Sequence, residues 1–312
     1  TLSSSSAASD VYKRQVLIAT TLARTYTMTE VYGRQFDTVV CDEASMAPIP
    51  ALYWACSQAT KSATVAGDFR QLAPIALSDD ARVKEWLRTD VYLKAGIVKE
   101  WKSGHTEHSP MVKLRTQYRM QPQIRSIISS VFYEDDLRDD KPEEPAIKLN
   151  QPCPGVYAGV YDTATIDPWC SRIVGGFGRF NLYHAVLAVK LCQIAVRDFD
   201  SIGIITPYRP QARLIRALIE KDPILEPKVK QQKVIASTVH TFQGSEKDLI
   251  ILDLVDSTGG LPVGILLKGS IESENISEQS GARLINVACS RARKKLAIIA
   301  NLSFLKPRLN KE

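Results

Sequence analysis

Short apolar runs recur along the chain, and polar or glycine residues follow each run at once. In the first third of the sequence the runs are VLIAT (16–20), FDTVVC (36–41) and SATVAG (62–67). Unbroken apolar runs of this length are typical of strands that a parallel sheet buries on both faces. Helix-compatible segments separate the runs, so residues 16–78 are predicted to form an α/β unit with parallel strands.

The second half of the chain repeats this alternation. Apolar residues at spacings of three and four predict a helix beginning at Pro122, a second helix over 186–194, and a third after Pro210. The second helix is expected to bury Val186, Leu187, Leu191 and Ile194. Four further runs predict strands of a largely parallel sheet: IGIITP (202–207), KVIAST (233–238), DLIILDLV (248–255) and KLAIIAN (295–301).

Composition shifts divide the chain into regions. Residues 1–15 are Ser-rich, lack periodicity and resemble translated sequencing-adapter remnants, so we expect a non-native or disordered tail there. Residues 79–112 are mixed and irregular, which places a domain boundary near 112. We therefore predict a first domain over 16–112 and a second over 113–312, with surface loops at 134–150 and 174–180.

Composition narrows the class of protein. With 312 residues, 45% of them hydrophobic and 24% charged, the chain is typical of a folded globular protein. The net charge is +6, and because residues 134–144 carry −5, the remainder carries +11, a modest excess for a polyanionic partner. Six cysteines without a Cys-x-x-Cys pair argue against a zinc ribbon or a disulfide framework and favour a reducing cytoplasm. No apolar stretch approaches membrane-spanning length, so no membrane association is expected.

Two acidic residues follow the second apolar run. Asp42 and Glu43 come directly after FDTVVC, at the carboxyl end of a predicted strand, where open α/β sheets bind ligands. Asp42 is suited to hold Mg²⁺ through its water shell, and Glu43 to orient or deprotonate an attacking water. The alternative is an ordinary strand end or helix cap.

The next strand is followed by a second polar cluster. Gly67, Asp68 and Gln71 come directly after SATVA. A glycine permits close approach of the backbone, and the neutral amide of Gln71 is suited to sense a γ-phosphate or its attacking water. The alternative is a strand-to-helix turn capped by Asp68.

These elements and their order resemble a superfamily 1 helicase, in the branch of the nonsense-mediated-decay and Okazaki-fragment-processing helicases. DEAS (42–45) resembles motif II, and ATT (19–21) the nucleic-acid-contacting element just before it. The other motifs follow in the family's order: GDFRQLAP (67–74) resembles motif III, KLRTQYRMQP (113–122) motif IV, STVHTFQGSEKDLIIL (237–252) motif V and NVACSRARKKL (286–296) motif VI. The resemblance implies two RecA-like parallel-sheet domains, ATP and Mg²⁺ as cofactors, and single-stranded DNA or RNA as partner.

The resemblance also implies roles for residues of the second domain. Arg119 and Arg291 would reach across a cleft as arginine fingers to the γ-phosphate, and Gly244 and Glu246 would lie near the nucleotide. Solvated or ion-paired arginines, a strand end at Gly244 and a solvated Glu246 are the alternatives. Hydroxyl, ring and backbone groups at strand ends would grip the strand without reading its sequence; the matching residues are Thr20, Thr21, Thr206, Tyr208, Thr238 and His240. Structural threonines and a packed histidine are the alternative here.

The chain departs from the family in one decisive respect. The phosphate-cradling Gly-x-x-x-x-Gly-Lys-Thr/Ser loop is absent from the sequence, and it should precede Val16. We therefore expect a C-terminal portion of a helicase whose first domain is truncated and which does not itself hydrolyse ATP. An ATP-independent nucleic-acid binding module is the alternative, whereas a Rossmann-type dinucleotide enzyme lacks its glycine-rich fingerprint. No nuclease signature is visible: Asp139, Asp140 and Lys148 fit a metal-nuclease pattern only if it is forced on them, and their segment is typical of an acidic loop.

Overall fold

The computed structural model describes residues 16–103, 111–176, 178–242, 244–269 and 280–309. The predicted tail at 1–15 lies outside these ranges, as do residues 270–279. The chain divides into two compact units, Thr1–Val112 and Lys113–Glu312. No helix in the described ranges is both long enough and apolar enough to cross a membrane.

The first unit is built on two parallel strands. β1 (Phe36–Cys41) and β2 (Ala59–Val65) pair in register from Thr38 opposite Ser62 to Cys41 opposite Val65. Helix α2 (Ile49–Ser57) connects them and packs on one face of the pair, where Leu52 and Ala55 meet Cys41. The remaining helices of this unit are short: α1 (Arg24–Thr27), α3 (Ala81–Val83), α4 (Val91–Lys94) and α5 (Ile97–Ser103), with a 3-10 turn at Ala44–Met46 and a π turn at Lys84–Arg88.

Two sequence predictions for this unit are wrong. Residues 16–20 form no strand, and Val16 and Leu17 are exposed, because β1 and β2 pair with each other and no described strand lies beside this segment. The strands are also not buried on both faces, since the side chain of Val40 is 66% exposed on the face that α2 does not cover.

The second unit contains a five-stranded parallel sheet in the order β5-β11-β10-β8-β9. Its strands are β5 (Ala158–Asp162), β8 (Ile202–Thr206), β9 (Val234–Thr238), β10 (Lys247–Asp253) and β11 (Ala292–Ala300). Four of them were predicted from apolar runs. Strand β5 was not, because its sequence AGVYD has only one aliphatic side chain larger than alanine. Two short pairs complete the strands: β3 (Thr116–Gln117) with β4 (Arg138–Asp139), and β6 (Ser171–Arg172) with β7 (Arg179–Phe180).

Helices cover this sheet as the periodicity predicts, with differences in two of them. α6 (Pro122–Phe132) buries Ile124, Ile128 and Phe132, but Ile127 and Val131, which the spacing put on the same face, are 46% and 56% exposed. α8 (Arg209–Lys221) buries Ile215 and Ile219. α7 (Leu182–Ala195) leaves Val186 and Ile194 about half exposed and turns smaller residues inward, Ala185, Ala188 and Cys192 among them. The prediction of its buried face was therefore partly wrong, because small residues permit close packing that a search for large apolar side chains overlooks. The other helices are α9 (Glu226–Lys230), α10 (Val239–Phe242), α11 (Ser280–Ser290) and α12 (Leu302–Leu309), with 3-10 turns at Pro145–Leu149 and Ile265–Leu267.

The acidic segment 134–150, predicted as a surface loop, is integrated into the fold. It contributes β4 and a 3-10 turn, and Asp139 forms an ion pair with Arg125 of α6 at 2.7 Å. Lys148 pairs with Glu143, and no group of three or more His, Cys, Asp or Glu residues within the described ranges could hold a metal ion. The mixed α/β class with a parallel sheet is confirmed.

Candidate functional site

The first unit carries a tight acidic turn at the carboxyl end of β1. Asp42 leaves the strand with an exposed side chain, and Glu43 is half-buried and adopts a left-handed backbone conformation with φ of 52°. The Glu43 amide donates to Asp42 Oδ1 at 2.9 Å, which fixes the orientation of that carboxylate. The two side chains are therefore held at the strand end that the sequence predicted.

Gly67 allows the loop after β2 to lie directly against this turn. The Ala66 amide donates to Cys41 O at 2.8 Å, and the Ala44 amide donates to Ala66 O at 2.9 Å. A Cβ atom on Gly67 would lie 2.9 Å from both Ala44 N and Tyr92 Oη, closer than real contacts allow. Only glycine fits between these groups without a shift, which is the physical reason for glycine here.

Both carboxylate oxygens of Asp68 accept hydrogen bonds from residues of its own loop. Its Oδ1 accepts from the Arg70 amide at 2.9 Å, and its Oδ2 accepts from Gln71 Nε2 at 3.0 Å. The Gln71 amide in turn donates to Asp68 O at 3.0 Å. Asp68 thus orients the Gln71 side chain, and the structure brings both next to the Gly67 turn.

Tyr92 is a member of this cluster that the sequence did not reveal. Its side chain is 8% exposed, and its hydroxyl donates to Val65 O at 3.3 Å. Burial, followed by the negative charges of Asp90, Asp68, Asp42 and Glu43, raises the pKa of Tyr92 to about 12. Tyr92 lies in the irregular stretch between motifs III and IV, and nothing in the local sequence predicted that its side chain would pack against this turn.

In the second unit, Arg119 and Glu246 meet at the amino edge of the sheet. Arg119 Nε donates to Glu246 Oε2 at 2.7 Å, and an Nη1 hydrogen bond reaches Ser290 O at 3.3 Å. Glu246 directly precedes β10, and Gly244 before it has φ of 77°, a left-handed conformation that favours glycine. Both charged side chains stay partly exposed, at 38% and 41%.

Arg291 lies at the same edge but is buried. It directly precedes β11, its carbonyl accepts from the Lys247 amide at 3.1 Å, and the residue is 3% exposed. Arg293, two residues further, is 46% exposed, and its Nε lies 3.6 Å from Glu246 Oε1. Of the two guanidinium groups of the SRAR run, Arg293 is therefore the more accessible. The sequence reasoning did not single it out, although the same motif contains it.

The predicted nucleic-acid residues of this unit gather at the opposite, carboxyl edge. Thr206 ends β8 and Thr238 ends β9, and the two pair in register. Thr206 Oγ1 and His240 Nδ1 are buried without a hydrogen-bond partner among the described residues. Burial, and then the positive charge of Arg209, lower the pKa of His240, so the neutral ring is favoured.

Tyr208 sits at this edge with its hydroxyl turned inward. It is 5% exposed, its Oη donates to Asp256 Oδ2 at 3.3 Å, and Arg179 lies over its ring at 5.9 Å. Burial, with the charge of Asp256, raises the pKa of Tyr208 well above its ordinary value. Its hydroxyl is therefore engaged within the protein.

Thr20 and Thr21 belong to the first unit. Both side chains are exposed, in the loop that leads into α1, where Thr21 O accepts from the Arg24 amide at 3.0 Å. They precede the acidic turn by about 20 residues in sequence. Their exposure is compatible with the predicted contact to nucleic acid.

Comparisons with known proteins agree with the order of motifs. A family model described as AAA domain matches residues 99–303, and a second of the same description matches residues 2–79. The chain belongs to this AAA domain family, among the superfamily 1 helicases. The resemblance predicted from the six motifs is confirmed, including its branch.

Curated helicases are similar over most of the chain. ATP-dependent helicase NAM7 of Saccharomyces cerevisiae is 28% identical over 272 residues, 86% of this chain and 25% of that protein. The 5′-3′ DNA helicase ZGRF1 of Mus musculus is 30% identical over 278 residues, 87% of this chain and 13% of that protein. DNA replication ATP-dependent helicase/nuclease DNA2 of Gallus gallus is 26% identical over 268 residues, covering 85% of this chain and 23% of that protein. This chain thus spans a quarter or less of the length of each of these relatives.

Among solved structures, the PRRSV helicase is similar over 88% of this chain and 37% of that chain, with a TM-score of 0.41 and 14% identity.

The motifs of this chain gather at defined edges of the main sheet of each unit. Motifs II and III fold into the acidic turn of the first unit. Motifs IV and VI, with Glu246 of motif V, fold into the amino edge of the second sheet. Thr238 and His240 of motif V lie at the carboxyl edge instead.

Proposed function

We propose that the chain is the motor portion of an ATP-dependent nucleic-acid helicase, which couples ATP hydrolysis to 5′-to-3′ movement along a single strand. The supporting observation is the separation of two residue sets in the second unit. The charged set lies at the amino edge of the sheet and the hydroxyl and imidazole set at the carboxyl edge. A motor needs separate nucleotide and strand surfaces, and the names of the relatives, ATP-dependent and 5′-3′ helicases, favour this use of them.

The acidic turn fits a nucleotide-bound magnesium ion. Asp42 presents an exposed carboxylate whose Oδ1 is fixed by the Glu43 amide, and hard cations prefer such oxygen ligands, directly or through water. When bound, Mg²⁺-ATP supplies the phosphoryl group and neutralises part of its charge. In this proposal Asp42 would hold the hydrated ion, Glu43 would accept the proton of the attacking water, and Gln71 would contact that water or the γ-phosphate beside the Gly67 and Asp68 backbone.

The amino edge of the second unit supplies positive charge. Arg119 and Arg291 are proposed to stabilise the charge that develops on the transferred phosphoryl group, with Gly244 and Glu246 close to the nucleotide. The Arg119–Glu246 ion pair is partly exposed, so phosphate can replace the carboxylate at modest cost. Arg291 is buried as the chain stands, and its role requires a rearrangement that exposes the guanidinium.

The strand surface is proposed to contact the nucleic-acid backbone. Buried polar atoms without partners are costly, so Thr206 Oγ1 and His240 Nδ1 favour a ligand group that satisfies them. Thr20, Thr21 and Thr238 add hydroxyls, and the Tyr208 backbone completes the set. Contacts of this kind reach phosphate and sugar and carry no sequence information.

Without a phosphate loop, the chain as given is proposed not to turn over ATP. The lysine and amide nest of that loop provide most triphosphate contacts and the hydroxyl ligand of Mg²⁺ in enzymes of this type. The acidic turn and the arginines are then necessary for hydrolysis without being sufficient.

Fluorescence anisotropy with labelled oligonucleotides tests the proposal. We expect saturable binding of single strands that varies less than about threefold between sequences and weakens steeply as salt rises. ATP turnover should be absent with or without the strand. Lack of saturable binding at low salt would contradict the proposed strand surface. Strand-stimulated hydrolysis by this chain would contradict the argument from the phosphate loop.

A further inference from the structure

The acidic segment 134–150 reaches the loop that carries Arg119. Strand β4 pairs with β3, and this places Asp139 opposite Gln117, two residues before Arg119. The Arg138 amide donates to Arg115 O at 2.8 Å and the Asp140 amide to Gln117 O at 3.3 Å. The backbone of the segment is therefore tied to the strand that leads into the Arg119 loop.

Side chains extend this connection to the backbone of Arg119. Asp139 Oδ1 accepts from Gln117 Nε2 at 2.6 Å. Gln117 Oε1 then accepts from the Arg119 amide at 2.9 Å and the Met120 amide at 2.7 Å. Gln117 Nε2 also donates to Met120 O at 3.0 Å, so Asp139 and Met120 together hold the nitrogen and the Gln117 oxygen stays directed at the Arg119 turn.

Asp139 is itself fixed. Its Oδ2 accepts from Arg125 Nε at 2.9 Å and Nη2 at 2.7 Å, and its side chain is 16% exposed. A two-pronged pair with arginine is among the stronger polar contacts in proteins and defines the carboxylate plane. Arg125 belongs to α6, so the orientation of Asp139 is set by a helix of the second unit's core.

We propose that Asp139 is a positioning residue for Arg119, acting through Gln117 to hold the arginine ready for an anionic phosphate. The inference rests on the proposed phosphate contact of Arg119. Gln117 fixes the start of the side chain, while Glu246 and Ser290 O fix its guanidinium. An arginine held at both ends loses less conformational freedom when it binds an anion.

Neighbouring residues provide matched variants. Asp140 carries the same charge as Asp139 and lies beside it in the same segment, but its side chain is exposed. Asp140→Ala therefore removes no side-chain contact of the Arg119 loop. Asp139→Ala removes one of the two acceptors of Gln117 Nε2 and leaves the other, Met120 O. Asp139→Asn keeps an acceptor oxygen for Gln117 and loses the charge that pairs with Arg125. Arg125→Ala loses the ion pair and leaves the Asp139–Gln117 contact.

The test is a titration of the full chain with sodium tripolyphosphate, followed through the Arg119 Nε–Hε signal in nitrogen-15 NMR spectra. The signal is assigned by its absence in Arg119→Lys. We expect Asp139→Ala to weaken anion binding about tenfold, as loss of one charge-assisted hydrogen bond implies. Asp140→Ala should stay within about twofold, and Asp139→Asn and Arg125→Ala should retain most of the affinity.

Each outcome separates the two claims. If Arg119 in the unaltered chain does not respond to tripolyphosphate, the proposed phosphate role of Arg119 fails. If it responds and Asp139→Ala responds equally, the positioning role is overturned while the phosphate role stands. If Asp139→Asn behaves like Asp139→Ala, the Arg125 ion pair and not the Gln117 contact carries the effect, which also overturns the proposal.

Discussion

At the scale of single residues, chemistry at strand ends was predictable and its supporting contacts were not. Asp42, Glu43 and Gln71 follow apolar runs, so their edge of the sheet could be predicted from pattern alone. Tyr92 acts through a contact across 27 residues and Gln117 through contacts to a neighbouring backbone, and neither stands at a patterned position. The burial of Arg291 was equally hidden, because the sequence shows its motif and not its environment.

Gly67 provides the sharpest prediction at this scale. Gly67→Ala should destabilise the acidic turn by about 1–3 kcal/mol, because the new Cβ meets backbone that cannot move freely. Amide hydrogen exchange in β1 and β2 is the measurement. Gly176→Ala is the control, since its Cβ would find its nearest neighbour at 3.8 Å. Equal protection of β1 in Gly67→Ala and the unaltered chain would refute the close approach.

The raised pKa of Tyr92 predicts that the stability of the first unit depends on pH in alkaline solution. Its pKa of about 12 exceeds the ordinary value of 10.0, so the folded first unit favours the protonated phenol. This contribution to stability is complete below pH 10 and is lost as pH rises from 10 through 12. In Tyr92→Phe, that part of the stability loss between these pH values should be missing.

Thermal unfolding at a series of alkaline pH values measures the effect. Tyr53→Phe is a suitable control because Tyr53 is 77% exposed. A stability profile of Tyr92→Phe parallel to that of the unaltered chain above pH 10 would show that Tyr92 titrates normally.

At the scale of elements, apolar periodicity predicted strands and helices where large side chains dominate. Strands β8 to β11 and helix α8 follow this rule, whereas α6 follows it only in part because Ile127 and Val131 stay exposed. The rule failed for residues 16–20, since an apolar run becomes a strand only when a partner strand accepts its hydrogen bonds. It also missed β5 and the small-residue face of α7, where packing depends on neighbours that a local window does not contain.

Helix α6 allows a direct test of this reasoning. Ile128→Ala should cost about 2–5 kcal/mol of unfolding free energy, because it leaves a cavity in a packed core. Ile127→Ala, one position along, should cost less than about 1 kcal/mol, since Ile127 is 46% exposed whereas Ile128 is 1% exposed. Urea unfolding followed by circular dichroism compares the two, and similar losses would mean that the buried face of α6 is misassigned.

At the scale of the whole molecule, the order of motifs predicted more than any single motif. Six sequence elements in the order of a superfamily 1 helicase identified the family before any contact was known, and the family models match the same regions. The sequence did not show that the second unit separates its charged residues and its hydroxyl residues onto opposite edges. That separation arises from chain direction, since all five strands run parallel and each contributes one end to each edge.

The separation of the two edges is best tested by the single-strand affinity of two variants, measured by fluorescence anisotropy without nucleotide. His240→Ala, at the carboxyl edge, should weaken binding about three- to tenfold. Arg119→Ala, at the amino edge, should stay within about twofold even though it removes a positive charge. A large loss in Arg119→Ala with none in His240→Ala would contradict the assignment of the carboxyl edge to the strand.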